Sequence, residues 1–329
     1  MKKYLILLTL LLFAFSYTGL VADDEAVKGK QQDDKQEIAT YKLKVSYKSR
    51  TFFTSTVSEV THVHRIYPDS TTIDYSREVT YFLTTKVPSS PEDGFQTLLV
   101  SIDSLRYKFR EGDAEFEYNT QDMQGNALRF KDLNCKTAPI GREFELVYSP
   151  YGDVARISGD ELDETLDYVR EKGEGYLKPV DMYIWINGLS SEHLEYLSDK
   201  QKIILPTDRI AKDSIWYSPV SIEFNGYSFF DTLAVKIVNY NAGVFNIEGQ
   251  STDIVPFDKE SFTYNIFDLV KVEGAKGKGK FKIELKASGR VLSTEADYNI
   301  NARIKVGEQY IEEQIKSIIK WKLIKIYHL

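Results

Sequence analysis

The chain has 329 residues, 42% of them hydrophobic and 13% aromatic, with 42 basic and 49 acidic side chains for a net charge of −7. That acidic balance excludes a protein built to grip nucleic acid or an anionic membrane surface, since both reward a clustered excess of Lys and Arg. Cys135 is the single cysteine, which excludes an intramolecular disulfide and leaves burial to hold the fold; a chain of this size buries about three quarters of its extended surface.

Lys2 and Lys3 precede an apolar run from Tyr4 to Phe15, then small and polar residues, then Asp23-Asp24-Glu25. The pattern is that of a secretory signal peptide over residues 1–22, cleaved after Ser16 or after Ala22. No cysteine follows the run, so a lipid anchor on a mature N-terminal Cys is excluded. The expected address is export, periplasmic or extracellular, with no stable membrane span after cleavage. Of the 42 basic residues two belong to the signal, which leaves 40 against 49 acids, a mature net charge near −9. Residues 23–37 (DDEAVKGKQQDDKQE) lack apolar periodicity and are expected to be a disordered leader.

From residue 38 the period is two. Tyr41, Leu43, Val45 and Tyr47 alternate with Lys42, Lys44, Ser46 and Lys48, as on a strand with one wet face. Leu105, Tyr107 and Phe109 repeat the pattern, with Phe116 and Tyr118 returning across Gly112-Asp113. A loop, Pro88 to Gly94, separates early strands. Phe144, Leu146 and Tyr148 run into the turn 149–153 and return through Val154 and Ile157 as a hairpin. One wet face implies antiparallel pairing.

A helical period follows over about 159–204. Ser158 with Glu161 fits a capping box, Leu162, Leu166 and Val169 share a stripe, and Gly173 stands at the C-cap. The five acids between Asp160 and Asp167 form its solvated face. Residues 183–189 (YIWINGL) precede a second helix, capped by Ser190 or Ser191, with Leu194 and Leu197 facing inward.

Pro206 opens a second β half, in which Trp216, Ser218, Val220, Ile222 and Phe224 alternate with polar positions and Leu233, Val235 and Ile237 follow. Residues 274–280 (GAKGKGK) read as a flexible turn. Phe281, Ile283 and Leu285, then Ala296, Tyr298, Ile300, Ala302, Ile304 and Val306, are further strands. Lys316, Lys320, Lys322 and Lys325 interleave with Ile318, Ile319, Trp321 and Leu323, a strand with one solvated face. The segments 144–158 and 281–295 echo one another as strand, Gly, charged residue, Val and returning strand.

Chemical signatures are scarce. His62 and His64 share a strand face, Glu59 lies on the opposite one, and no third ligand stands at metal spacing, so no metal site is expected. His193 and His328 read as surface residues. Cys135 reads as a buried, inert thiol with no histidine near it in sequence. There is no G-x-S-x-G element, and Gly277-Lys278-Gly279-Lys280 lacks the register of a phosphate loop. No catalytic residue and no cofactor are expected. Four aromatics are the candidate ligand-binding residues: Tyr183 and Trp185 between the helices, and the adjacent Phe229 and Phe230, whose side chains point to opposite faces of a strand.

The strand TYKLKVSYK, the L-x-Y-x-F-x-x-G-D segment from Leu105 to Asp113, the strand-Gly-x-Val-strand-Gly segment from Tyr148 to Gly159 and a following Leu-Pro element resemble an uncharacterised exported bacterial family, domain-of-unknown-function family 6263. Its Gly-Asp-x-Trp motif departs here to Lys212-Asp213-Ser214-Ile215-Trp216, which lacks the Gly and adds one residue. The resemblance spans about residues 38–326 and implies a β-rich exported protein without supplying catalytic residues.

The fold expected is mostly β, a β-rich α+β protein of two curved antiparallel sheets or half-barrels: an N-terminal β half (38–158), a central helical segment (159–204) packing on the concave side, and a C-terminal β half (205–329). The role expected is non-catalytic binding of a lipid, another apolar ligand or a partner segment in the concave face. The alternative is a structural or interaction module of the cell envelope, pairing with an envelope protein through sheet edges.

Overall fold

A computed structural model describes residues 39–121 and 130–328, so the expected signal peptide and leader lie outside the described residues. The first elements are β1 (Thr40–Tyr41), β2 (Thr51–Ile66), β3 (Thr72–Val87), β4 (Gln96–Glu111), β5 (Ala114–Asn119), α1 (Lys131–Thr137), β6 (Glu143–Tyr148) and β7 (Val154–Ser158). Three helices follow, α2 (Asp160–Gly173), α3 (Pro179–Gly188) and α4 (Ser191–Ser198). The rest is β8 (Ile210–Ala211), β9 (Ile215–Phe224), β10 (Tyr227–Asn241), β11 (Val244–Pro256), β12 (Glu260–Ser261), β13 (Val270–Lys286), β14 (Val291–Val306) and β15 (Gln309–His328).

Thirteen strands make one antiparallel sheet in the order β7-β6-β4-β3-β2-β15-β14-β13-β11-β10-β9, with β5 paired to β4 and β12 to β13. The two β halves expected from sequence meet edge to edge, because β15 returns along the whole of β2, from Glu312 opposite Ile66 to His328 opposite Thr51. The sheet does not close into a barrel: β7 and β9 remain its outer strands. Both contact the eight-residue helix α4, so the sheet curls until its edges flank one helix.

Period two decides which side is inside. On β2 the odd residues from Thr51 to Arg65 are buried and the even ones partly or wholly exposed; on β15 the buried set is Ile311, Glu313, Ile315, Ser317, Ile319 and Trp321. The opposite face is polar, with Lys316, Lys320 and Lys322 exposed as expected of a wet face. The inward face is covered by the helices and by residues 199–205 after α4, nearly all of them buried. Turns at Asn225-Gly226 and Ala242-Gly243 take positive φ at both positions, which suits two-residue hairpins between right-twisted strands.

Four sequence expectations change. Residues 274–280 are the middle of β13, not a turn: a Cβ at Gly279 would lie 2.2 Å from Tyr298 Cε1, so the glycine lets the Tyr298 ring cross the backbone. The alternation of residues 41–47 is one of burial without a ladder, since beyond β1 the amide of Ser46 donates to Gly289 O and that of Tyr47 to Gln96 Oε1. Ser158 is the last paired residue of β7 rather than a cap, and α2 starts from Gly159 without a side-chain cap. The helices begin earlier than residue 159, with α1, whose close approach to α3 depends on Gly188, where a Cβ would sit 2.3 Å from Cys135 O.

Candidate functional site

The inner face of the sheet is largely filled by the chain itself. Tyr196 and Leu197 of α4 and then Lys200, Lys202, Ile203 and Leu205 occupy it, with Trp321 Nε1 donating to Tyr196 O at 3.2 Å. Space remains at one end, where a pocket of about 440 Å³ opens between the β4–β5 hairpin, α1, α3 and residues 262–267. Its walls follow from local rules. Phe109 and Phe116 are a cross-strand pair of the hairpin, and Val180 and Ile184 are an i, i+4 pair on α3. Phe130 caps the aromatic wall with ring centres 5.3 Å from Phe109 and 4.2 Å from Phe116, and Tyr264 stacks on Phe109 at 4.5 Å. Phe267 stands at the rim, 77% exposed, with Lys131 Nζ 5.9 Å from its ring centre. Glu111, Glu115 and Lys131 give the same lining its charges.

The four aromatic candidates are not brought together here. Phe229 is fully buried in the core, stacked on Phe224 at 5.1 Å, whereas Phe230 is 36% exposed on the opposite face, as strand parity requires. Tyr183 is half-buried, donates its hydroxyl to Glu260 O and meets Phe262 edge-on; Trp185 packs against the main core. Tyr183 therefore stands next to the pocket, behind Phe262, without lining it.

Several charged side chains are buried against the covered face. Arg65 and Glu313, opposite one another on β2 and β15, are fully buried with both Nε and Nη2 of the guanidinium 2.6 Å from Glu313 Oε1. Glu59 accepts from Thr61 at 2.8 Å and Tyr196 at 3.0 Å. Burial alone would raise this carboxyl, but the charges of Lys136 and Arg77 and those two hydroxyls hold it below the usual range. Lys200 donates to the Thr85 hydroxyl at 3.3 Å and lies over the Phe53 ring; Lys202 donates to the carbonyls of Glu195 and Tyr196. Burial pushes Lys200 down to about 7 and Lys202 to about 8, against the opposing charge of Asp199.

The histidines divide. His62 and His64 lie on the outer face of β2, and His64 Nδ1 meets Asp74 at 2.8 Å, while Glu59 points inward as parity predicts. His328 is exposed. His193 is not a surface residue: it is completely buried, because α4 is flanked by both sheet edges, and its Nδ1 lies 2.9 Å from Glu223 Oε2. Cys135 is buried as expected, yet it has this histidine beside it. No local motif announces the contact, since the three residues come from α1, α4 and β9. The one signal was Glu223, an acid between Ile222 and Phe224 at the tight Asn225-Gly226 turn.

No protein-family model matches the chain, and no curated protein does. Among solved structures it is similar to lipovitellin, in a structure concerned with lipid–protein interactions, at TM-score 0.40 and 7% identity over 86% of this chain. The chain spans only 26% of the lipovitellin chain. It is also similar to OpdO of Pseudomonas aeruginosa, at TM-score 0.19 and 8% identity, and to the outer membrane protein OpdK of the same organism, at TM-score 0.19 and 7% identity, over 83% and 84% of this chain and 98% and 99% of theirs. Likenesses of this size carry no argument about function.

Proposed function

We propose that this chain is an exported, non-catalytic binding protein whose pocket between the β4–β5 hairpin and α3 takes an apolar ligand or the apolar side chains of a partner's segment. The observation that carries the reading is the composition of that pocket: about 440 Å³ walled by Phe109, Phe116, Phe130, Ile184, Phe262 and Phe267. Its volume falls in the range of about 300–1,000 Å³ typical of small-molecule sites, which are mostly apolar with a few placed polar groups. Phe267, an aromatic side chain left in water at the rim, is surface that a bound molecule covers. Export is supported by Lys2, Lys3 and the apolar run that follows them.

Strand addition at the sheet edge is the weaker reading. Ile215 and Tyr217 are exposed on the outer strand β9, but Pro219 in its middle has no N–H to offer a new neighbour.

The test is a titration of the purified protein with a fluorescent long-chain fatty acid, beside variants Ala114→Trp and Phe267→Asp, both at exposed positions of the lining. The expected result is saturable binding with one ligand per chain, weakened at least about tenfold, or 1.4 kcal/mol, by each variant. Wild-type protein that binds nothing saturably, or variants that bind as well as wild type, overturns the assignment.

A further inference from the structure

We propose that Cys135, His193 and Glu223 form a binding site for one divalent metal ion of the zinc type, buried behind the wall of the apolar pocket. Each of the three offers one donor atom, and these atoms all lie within 4.8 Å of one another. Tetrahedral coordination at the usual zinc bond lengths sets donors roughly 3.5 Å apart, so closure around an ion asks for side-chain adjustments of about 1 Å. His193 Nδ1 and Glu223 Oε2, at 2.9 Å, are already that close.

The donor chemistry agrees with the geometry. Thiolate, imidazole and carboxylate are the three common protein ligands of zinc, and the two anions among them match the charge of a divalent cation. Asn187 Nδ2 lies 3.7 Å from Cys135 Sγ, in place to donate to a thiolate and orient it.

A second observation is independent of the ligand count. Among the described residues, His193 Nε2 and Tyr81 Oη are both buried without a hydrogen-bond partner, and the Tyr81 hydroxyl lies in the field of Cys135, Glu59 and Glu223. Each such orphan is costly to bury, and buried unsatisfied groups that share a cluster call for an ion or an ordered molecule. His193 thus has a ring nitrogen to give in either orientation, and three protein ligands leave a fourth position for water, the kind of partner Tyr81 lacks. Cys135 belongs to one buried cluster with Val180, Ile184 and Phe262, and those three residues also line the pocket, so the site adjoins the pocket wall.

The site does not depend on what fills the pocket, and its test uses no apolar ligand. Full-length purified protein, stripped with a chelator and kept reduced, is titrated with Co²⁺ and followed by absorbance. The expected result is a near-ultraviolet sulfur-to-cobalt charge-transfer band that saturates at one equivalent and is bleached by Zn²⁺. Cys135→Ser removes that band, and Glu223→Gln weakens binding beyond the about 10–100-fold that an outer-sphere change costs. A wild-type protein with native circular dichroism and no such band, or visible cobalt absorption that saturates identically in Cys135→Ser because outer-face histidines bind the ion, overturns the proposal. Should either variant fail to fold, the wild-type titration alone decides the question.

Discussion

Two polar clusters are buried against the covered face of this sheet, and they are finished to different degrees. Around Arg65 every charged group is answered: the guanidinium donates to Glu313 Oε1, Tyr264 O, Thr263 Oγ1 and, at 3.3 Å, to the hydroxyls of Tyr67 and Tyr75, while Glu313 Oε2 takes Asn225 Nδ2 at 2.7 Å. Among the described residues of this cluster, only the Tyr227 hydroxyl makes no hydrogen bond of good geometry. Around Cys135 the histidine has one nitrogen paired and, among the described residues, one without a partner, and the neighbouring Tyr81 hydroxyl has none there either. The first cluster ties β2 and β15 to the Asn225 turn and residues 263–264, where its role ends. The second leaves buried polar atoms unanswered among the described residues, which is the difference between a completed clamp and an incomplete cluster.

Breaking the completed cluster has the largest effect. Glu313→Gln leaves the Arg65 charge buried without its counter-ion, and the expected loss is about 3–5 kcal/mol, read from the urea midpoint at constant m-value. An effect below about 1 kcal/mol would mean that water reaches the pair. Next in size is the pair of lysines between the clusters. Their folded values, about 7 for Lys200 and about 8 for Lys202, lie below those of the unfolded chain. Between about pH 7 and pH 10 the unfolded chain therefore holds more protons than the folded one, and stability rises with pH through that window. Lys200→Met removes one of the two contributions; it is expected to flatten the rise and to stabilise the protein near pH 7 by about 1–4 kcal/mol, the range seen when buried charge gives way to hydrophobic bulk. Unfolding midpoints measured across that window check both, and a profile unchanged by the substitution rules out a buried, neutral Lys200.

Much of the sheet was legible because burial imposes period two wherever the inward residues are apolar, as in Ala296, Tyr298, Ile300, Ala302 and Ile304 of β14. The long strand β2 was legible only around Glu59, His62 and His64, and the reason is its inward face. Its inward set is Thr51, Phe53, Ser55, Val57, Glu59, Thr61, Val63 and Arg65, five of the eight polar, because this strand supplies the interior clusters. A strand that faces polar partners inside and water outside loses the contrast by which strands are recognised. Residues 274–280 failed for another local reason: the glycines that signal a turn are here the space into which Tyr298 and Ile300 pack. The pocket was foreseen only in kind. Aromatics near the helices marked apolar space, but its walls come from a hairpin, a helix and the 262–267 loop, whose meeting depends on the whole curl of the sheet. Cys135, His193 and Glu223, 58 and 30 positions apart, are joined by the same curl.

The finest contrast between the clusters is a pair of tyrosine hydroxyls on one strand. Tyr75 and Tyr81 both point inward from β3 and both are buried, at 4% and 2% exposure. Tyr75 Oη donates to Asn225 Oδ1 at 2.8 Å and accepts from Arg65, so Tyr75→Phe strips a partner from two buried groups and is expected to cost about 1 kcal/mol. Tyr81 Oη loses nothing when deleted, because a hydroxyl already desolvated without a partner is a cost that phenylalanine avoids. Tyr81→Phe in metal-free protein is therefore expected to be neutral or slightly stabilising in the same urea measurement. If zinc raises the stability of wild type more than that of Tyr81→Phe, the hydroxyl has found its partner in the occupied site. A loss of about 1 kcal/mol already in metal-free protein would mean instead that an ordered water satisfies it, and the two clusters would be alike.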